Sequence, residues 1–116
     1  MKRRMKQLTI AVLLLAGLSA TAQAEQFWVT GNVVRTLSDG VNFGGCMIYL
    51  STAVNNGCPA NGWVSLDCNG GYNRAGERNY ASALMAFSLN KPVTVLVDNS
   101  VKYNGYCIVR RLDVLN

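Results

Sequence analysis

Histidine is absent from this chain of 116 residues. Its absence removes the commonest general base at neutral pH, together with the Ser–His and Cys–His nucleophile arrangements. Acidic residues are few: Glu25, Asp39, Asp67, Glu77, Asp98 and Asp113 are all there are. No two are placed by sequence as a glycosidase pair, and they are expected at turns, caps and solvated faces. There is no CxxC rhythm for a zinc site. The glycine-rich stretch Asn69–Gly76 (NGGYNRAG) lacks the GxxxxGK[ST] pattern of a phosphate loop and reads as a strand-to-helix connection. No catalytic residue, metal site or cofactor is expected.

Long apolar runs are also missing, apart from Leu8–Leu18. That run follows Lys2, Arg3, Arg4 and Lys6 and precedes Ala22-Gln23-Ala24, the three parts of a signal peptide. It is shorter than the roughly 20 residues of a spanning helix, so residues 1–24 are expected to be removed and no membrane span to remain. Seven basic residues then face six acidic ones, a net charge of +1. The basic pI of 9.3 therefore belongs to the leader and gives no support for nucleic-acid binding.

Residues 25–116 form one small domain. Phe27–Leu37 is a strand with a bend near Gly31 to Val34, where alternation breaks. Cys46–Ser51 is a second strand, with Cys46, Ile48 and Leu50 on one face and Met47, Tyr49 and Ser51 on the other. Trp63–Cys68 is a third, with Val64, Leu66 and Cys68 inward. A helix is predicted from about Ala75 to Leu89, with an apolar stripe of Tyr80, Ala83, Leu84 and Phe87. Asn73 or a neighbour is its expected cap. Lys91-Pro92 stops the helix, Val93, Val95 and Val97 alternate in a strand, and Asp98-Asn99-Ser100 is expected to close it. A last strand follows the turn at Asn104-Gly105. The order β-β-β-α-β-β is mainly β with one helix, that of a small OB-like five-stranded barrel. An open α+β sheet with one packed helix is the alternative.

An exported domain this small has a marginal core, and four cysteines point to two disulfides. If the second and third strands form a hairpin, Cys46 lies near Cys68, leaving Cys58 to pair with Cys107. The other two connectivities stay open.

Three stretches carry a family resemblance: VTGNVVRTLSDG (Val29–Gly40), GGCMIYLS (Gly44–Ser51) and YASALMAFSLNKPVTVLV (Tyr80–Val97). They are similar to the OB-fold B subunits of bacterial AB-type toxins, in the subtilase-cytotoxin and pertussis-like group. The resemblance implies an exported subunit that forms a homo-oligomeric ring, binds sialylated cell-surface glycans or glycoproteins and partners an exported catalytic subunit. In that group a serine near the first strand contacts sugar, and the matching position is Thr30. The stretch CPANGW also resembles short exported bacterial proteins of other families.

Among the aromatics, Tyr49 and Trp63 lie on adjacent predicted strands and are expected to face outward, where rings stack on sugars or partners. Thr30, Tyr49 and Trp63 are thus the candidate ligand residues. Ala81, Ser82, Met85 and Ser88, on a sparsely charged helix, are a candidate self-association face. The leading expectation is a secreted or periplasmic non-catalytic binding module, a glycan- or receptor-binding subunit of the toxin type. The other is a small periplasmic inhibitor or envelope-associated protein acting as monomer or dimer.

Overall fold

Strand β1 (Gln26–Ser38) bends and serves two partners. Its first half pairs antiparallel with β4 (Pro92–Tyr103), and its second half with β2 (Cys46–Leu50). The changeover is a register shift between Val33 and Arg35, in the stretch where the alternation breaks. Gly31 precedes it because there is no room for more: a Cβ there would stand 2.8 Å from Thr52 Oγ1 and 2.9 Å from Ser51 Oγ. These details come from a computed structural model that describes residues 24–116. The expected leader, apart from Ala24, lies outside the described residues.

From β2 the sheet continues to β3 (Trp63–Ser65), then by a parallel step at Ser65–Ile108 to β5 (Tyr106–Val114), and antiparallel to β4. The β1–β4 pair closes the barrel in the order β1-β2-β3-β5-β4, which excludes the open sheet. The helix α1 (Gly76–Ser88) sits between β3 and β4 in the chain, as in OB-type barrels. Alternating side chains of the strands fill the interior: Val29, Val33, Ile48, Leu50, Val64, Val93, Val95, Val97 and Val109 are all buried. Disulfides join Cys46 to Cys68 and Cys58 to Cys107, the second fastening the β2–β3 loop onto β5.

Three expectations are corrected. The third strand ends at Ser65 rather than Cys68, because Asp67 takes a left-handed backbone conformation (φ 58°) that leaves the ladder. Asp67 is not at a solvated turn but fully buried. Its carboxylate accepts the backbone N–H groups of Gly71 (3.2 Å), Tyr72 (2.7 Å) and Asn73 (2.7 Å) and the Tyr103 hydroxyl (2.7 Å). Second, Asp98-Asn99-Ser100 does not end β4. The strand runs on to Tyr103, with its register jumping from Asp98–Ile108 to Lys102–Cys107. Asp98 accepts bonds from Ser100, which makes the local turn chemistry real but confines it to a bulge.

The third correction concerns the helix. Tyr80 and Ala83 pack against the barrel, but Leu84 is 38% exposed and Phe87 47%. The buried positions are Gly76, Ala83 and Ala86. Close approach explains the choice, since a Cβ at Gly76 would meet the Asp67 carbonyl oxygen at 2.0 Å. Only small residues fit that contact, and the large ones turn outward. Asn73 does not cap α1 through its side chain, because Ala75 holds that position. Instead its amide donates to the carbonyls of Val109 (2.9 Å) and Arg110 (3.2 Å), pinning the start of the helix to β5.

Candidate functional site

The bulge in β1 decides which side chains meet outside the barrel. Beyond it, Arg35 lies opposite Tyr49, and Tyr49 opposite Trp63, so three strands deliver one row. The next outward row is Leu37, Met47 and Ser65. Tyr49 and Trp63 pack edge to face, with ring centroids 5.0 Å apart and planes at 77°. The Arg35 guanidinium carbon lies 5.4 Å from the centre of the Trp63 ring, a cation–π contact.

Below this row is a groove of about 170 Å³ lined by Leu37, Phe43, Met47, Trp63 and Tyr106. Two connections contribute to its lining. The β1–β2 connection contains a short 3-10 turn, Asn42–Gly45, in which Phe43 has a positive φ of 58°. Ser65 Oγ donates to the Phe43 carbonyl (2.6 Å). Asp39 accepts the backbone N–H groups of Asn42 (2.9 Å) and Val41 (3.0 Å), and those bonds hold its carboxyl below the usual range. In the β4–β5 connection, Asn104 and Gly105 both have positive φ, the requirement of a tight two-residue hairpin, and Tyr106 follows directly. Tyr106 meets Phe43 edge to face at 5.9 Å. The strand 2–3 face between the β1–β2 and β4–β5 connections is the surface on which OB barrels bind ligands.

The structure brings together two of the three expected ligand residues. Thr30 stands apart, on the half of β1 that pairs with β4. Its hydroxyl donates to Thr94 Oγ1 (3.0 Å), and its carbonyl accepts from Thr52 Oγ1 (2.7 Å). Sequence reasoning missed Arg35, Leu37, Phe43, Met47 and Tyr106 as site residues. The signal for the first two was present: past the bulge, residues two apart share a face, which puts Arg35 and Leu37 beside Tyr49 and Met47. Phe43 depends on the path of a loop and left no periodic trace.

Two ion pairs, Arg110–Asp98 and Arg111–Asp113, belong to the framework. Burial acts to raise the Asp98 carboxyl, but bonds from Ser100 and Arg110 outweigh it and hold the group below its ordinary range. Arg110 Nε is 2.9 Å from Asp98 Oδ2, and Arg111 Nε is 2.9 Å from Asp113 Oδ1. All four cysteines are in disulfides, so none is a thiolate nucleophile or metal ligand. No carboxylate is among the lining residues of the groove. Comparison with protein-family models, with curated proteins and with solved structures finds no match to the chain.

Proposed function

We propose that this chain is an exported, non-catalytic binding module whose ligand face is the outer surface of β1, β2 and β3. The observation that carries the reading is the convergence of Arg35, Tyr49 and Trp63 above an aromatic groove. Two disulfides fit an oxidising compartment, and no helix among the described residues is long and apolar enough to cross a membrane. Export itself is assigned to the leader, cleaved after Ala24.

In the leading form of this reading the ligand is a cell-surface glycan, whose C–H faces stack on Trp63 and Tyr49. Assembly as a homo-oligomeric, toxin-type ring goes with it, as does an exported catalytic subunit. Exposed Leu84, Met85 and Phe87 on α1, with Leu89 at its C-terminal cap, supply the candidate contact between copies. The test is a glycan array probed with the oxidised chain, its Trp63→Ala variant and its Thr30→Ala variant. Loss of at least tenfold in binding for Trp63→Ala, with Thr30→Ala unchanged, is the expected result. The reverse pattern moves the site to the β1–β4 face, and no glycan signal from any form counts against a glycan ligand.

A second reading, a small inhibitor or envelope-associated protein with a protein partner, is favoured by Leu37 and Met47 in the groove lining. These side chains offer nothing to the hydroxyls of a sugar.

A further inference from the structure

The groove and Arg35 together describe more than a sticky surface. Of its five lining residues, only Trp63 and Tyr106 carry a polar side-chain atom, the indole N–H and the phenolic hydroxyl. A sugar ring seated here would lose water from hydroxyls that gain few partners, whereas an apolar group loses nothing. The space of about 170 Å³ is also the right size for one ring. An enclosed apolar cavity of about 150 Å³ accepts benzene, which sets the scale for this open groove.

Arg35 adds the charge. Of the three arginines on strands, Arg110 is paired with Asp98 and Arg111 with Asp113, while Arg35 has no carboxylate partner among the described residues. One face of its guanidinium is applied to Trp63. Its N–H groups are left to bind an anion, which a planar fork does best with a carboxylate. Arg35 and Leu37 are two residues apart on one face of β1, and Leu37 lines the groove. That separation, roughly 6.6–6.8 Å, is also the spacing of same-side residues in any extended peptide.

We propose that the groove docks an extended segment of a protein partner bearing an apolar side chain and, two residues away on the same side, an Asp or Glu. The apolar side chain enters between Phe43, Met47 and Tyr106, and the carboxylate lies on Arg35. This rests on the second reading above, a protein partner, and specifies what that partner presents.

The test is an NMR titration of the oxidised exported chain with capped synthetic pentapeptides. One carries Phe-Ser-Asp, a second Phe-Ser-Lys and a third Ala-Ser-Asp, with sialyllactose and lactose as the sugar arm. The Trp63 indole N–H and the Met47 methyl report the groove directly. The expected result is saturable shifts with Phe-Ser-Asp and affinities about tenfold weaker for the Lys and Ala peptides. Arg35→Gln, a change at an exposed residue that leaves the fold intact, should bring the Asp and Lys peptides within about twofold of each other. Leu37→Trp should fill the groove and remove the preference for Phe over Ala. Equal binding of the Asp and Lys peptides by the parent chain overturns the inference while leaving a protein partner in place. Shifts with the sugars and with no peptide overturn both the inference and the protein-partner reading, and return the groove to the glycan.

Discussion

Asp67 shows how one residue shapes the molecule. A fully buried carboxylate is costly unless every lone pair is used, and here three backbone N–H groups and one hydroxyl converge on it. The segment from Gly71 to Asn73 is thereby folded around its side chain and delivers α1 to the barrel. Asp67→Ala is expected to cost about 3–4 kcal/mol, and Tyr103→Phe about 1.5–2 kcal/mol, both read by urea denaturation of the oxidised chain. The same contact has a signature at alkaline pH. Burial, and then the bond to Asp67, push the Tyr103 hydroxyl up to about 12 from its ordinary 10.0. The folded state therefore holds a proton that the unfolded state releases first. That contribution to stability is complete below pH 10 and is lost as the pH rises to about 12. Tyr103→Phe should abolish this part of the alkaline loss. At the acid end Asp98 works in the opposite sense. Its depressed carboxyl stabilises the fold above its ordinary value of 3.8, and the effect is lost as the pH falls through the lower folded value.

At the scale of elements, α1 is set by its smallest side chains. Ala83 and Ala86 are fully buried, and the helix lies against the barrel because nothing larger intervenes. Ala86→Leu should overpack that contact and cost about 1–3 kcal/mol in thermal or urea unfolding. The outward side behaves differently. Met85 is 52% exposed and Leu89 61%, so Met85→Ser with Phe87→Ser should change stability by no more than about 0.5 kcal/mol. If α1 is the contact between copies, that double variant turns an assembly into a monomer by light scattering at unchanged unfolding midpoint. The β1 bulge is the other decisive element. It hands the strand from β4 to β2 and brings Arg35 into the row of Tyr49 and Trp63, so the candidate site is a consequence of how the barrel closes.

For the molecule as a whole, the disulfides compensate for a core of few large side chains. Cys46–Cys68 spans 22 positions and Cys58–Cys107 spans 49. Loop-closure entropy assigns them roughly 3.4 and 4.1 kcal/mol. Replacing Cys58 and Cys107 by serine should therefore destabilise the domain more than replacing Cys46 and Cys68, as unfolding midpoints of the two double variants will show. The longer bridge also fastens the β2–β3 loop onto β5, the strand that pairs with β3 at one register position only, Ser65 with Ile108. Reduction should loosen the barrel first at that seam, beside the Trp63–Tyr106 groove, and quench or shift the Trp63 signal before global unfolding.

The sequence by itself determined the order of strands and helix, the bend in β1, the hairpin at Asn104-Gly105 and the outward position of Tyr49 and Trp63. Each of these follows from periodicity or from backbone chemistry that acts over a few residues. The disulfide pairing was legible only as one of three connectivities, and the meeting of distant strands selected it. Three things were decided by tertiary structure alone. The burial of Asp67 depends on donors up to 36 positions away. The buried face of α1 depends on how closely a barrel end can approach, and that distance favoured Ala86 over Phe87. The groove depends on Phe43 and Tyr106, brought together by two loops. Local pattern specifies which way a side chain points along its own element; what it meets there is set by chain that is remote in sequence.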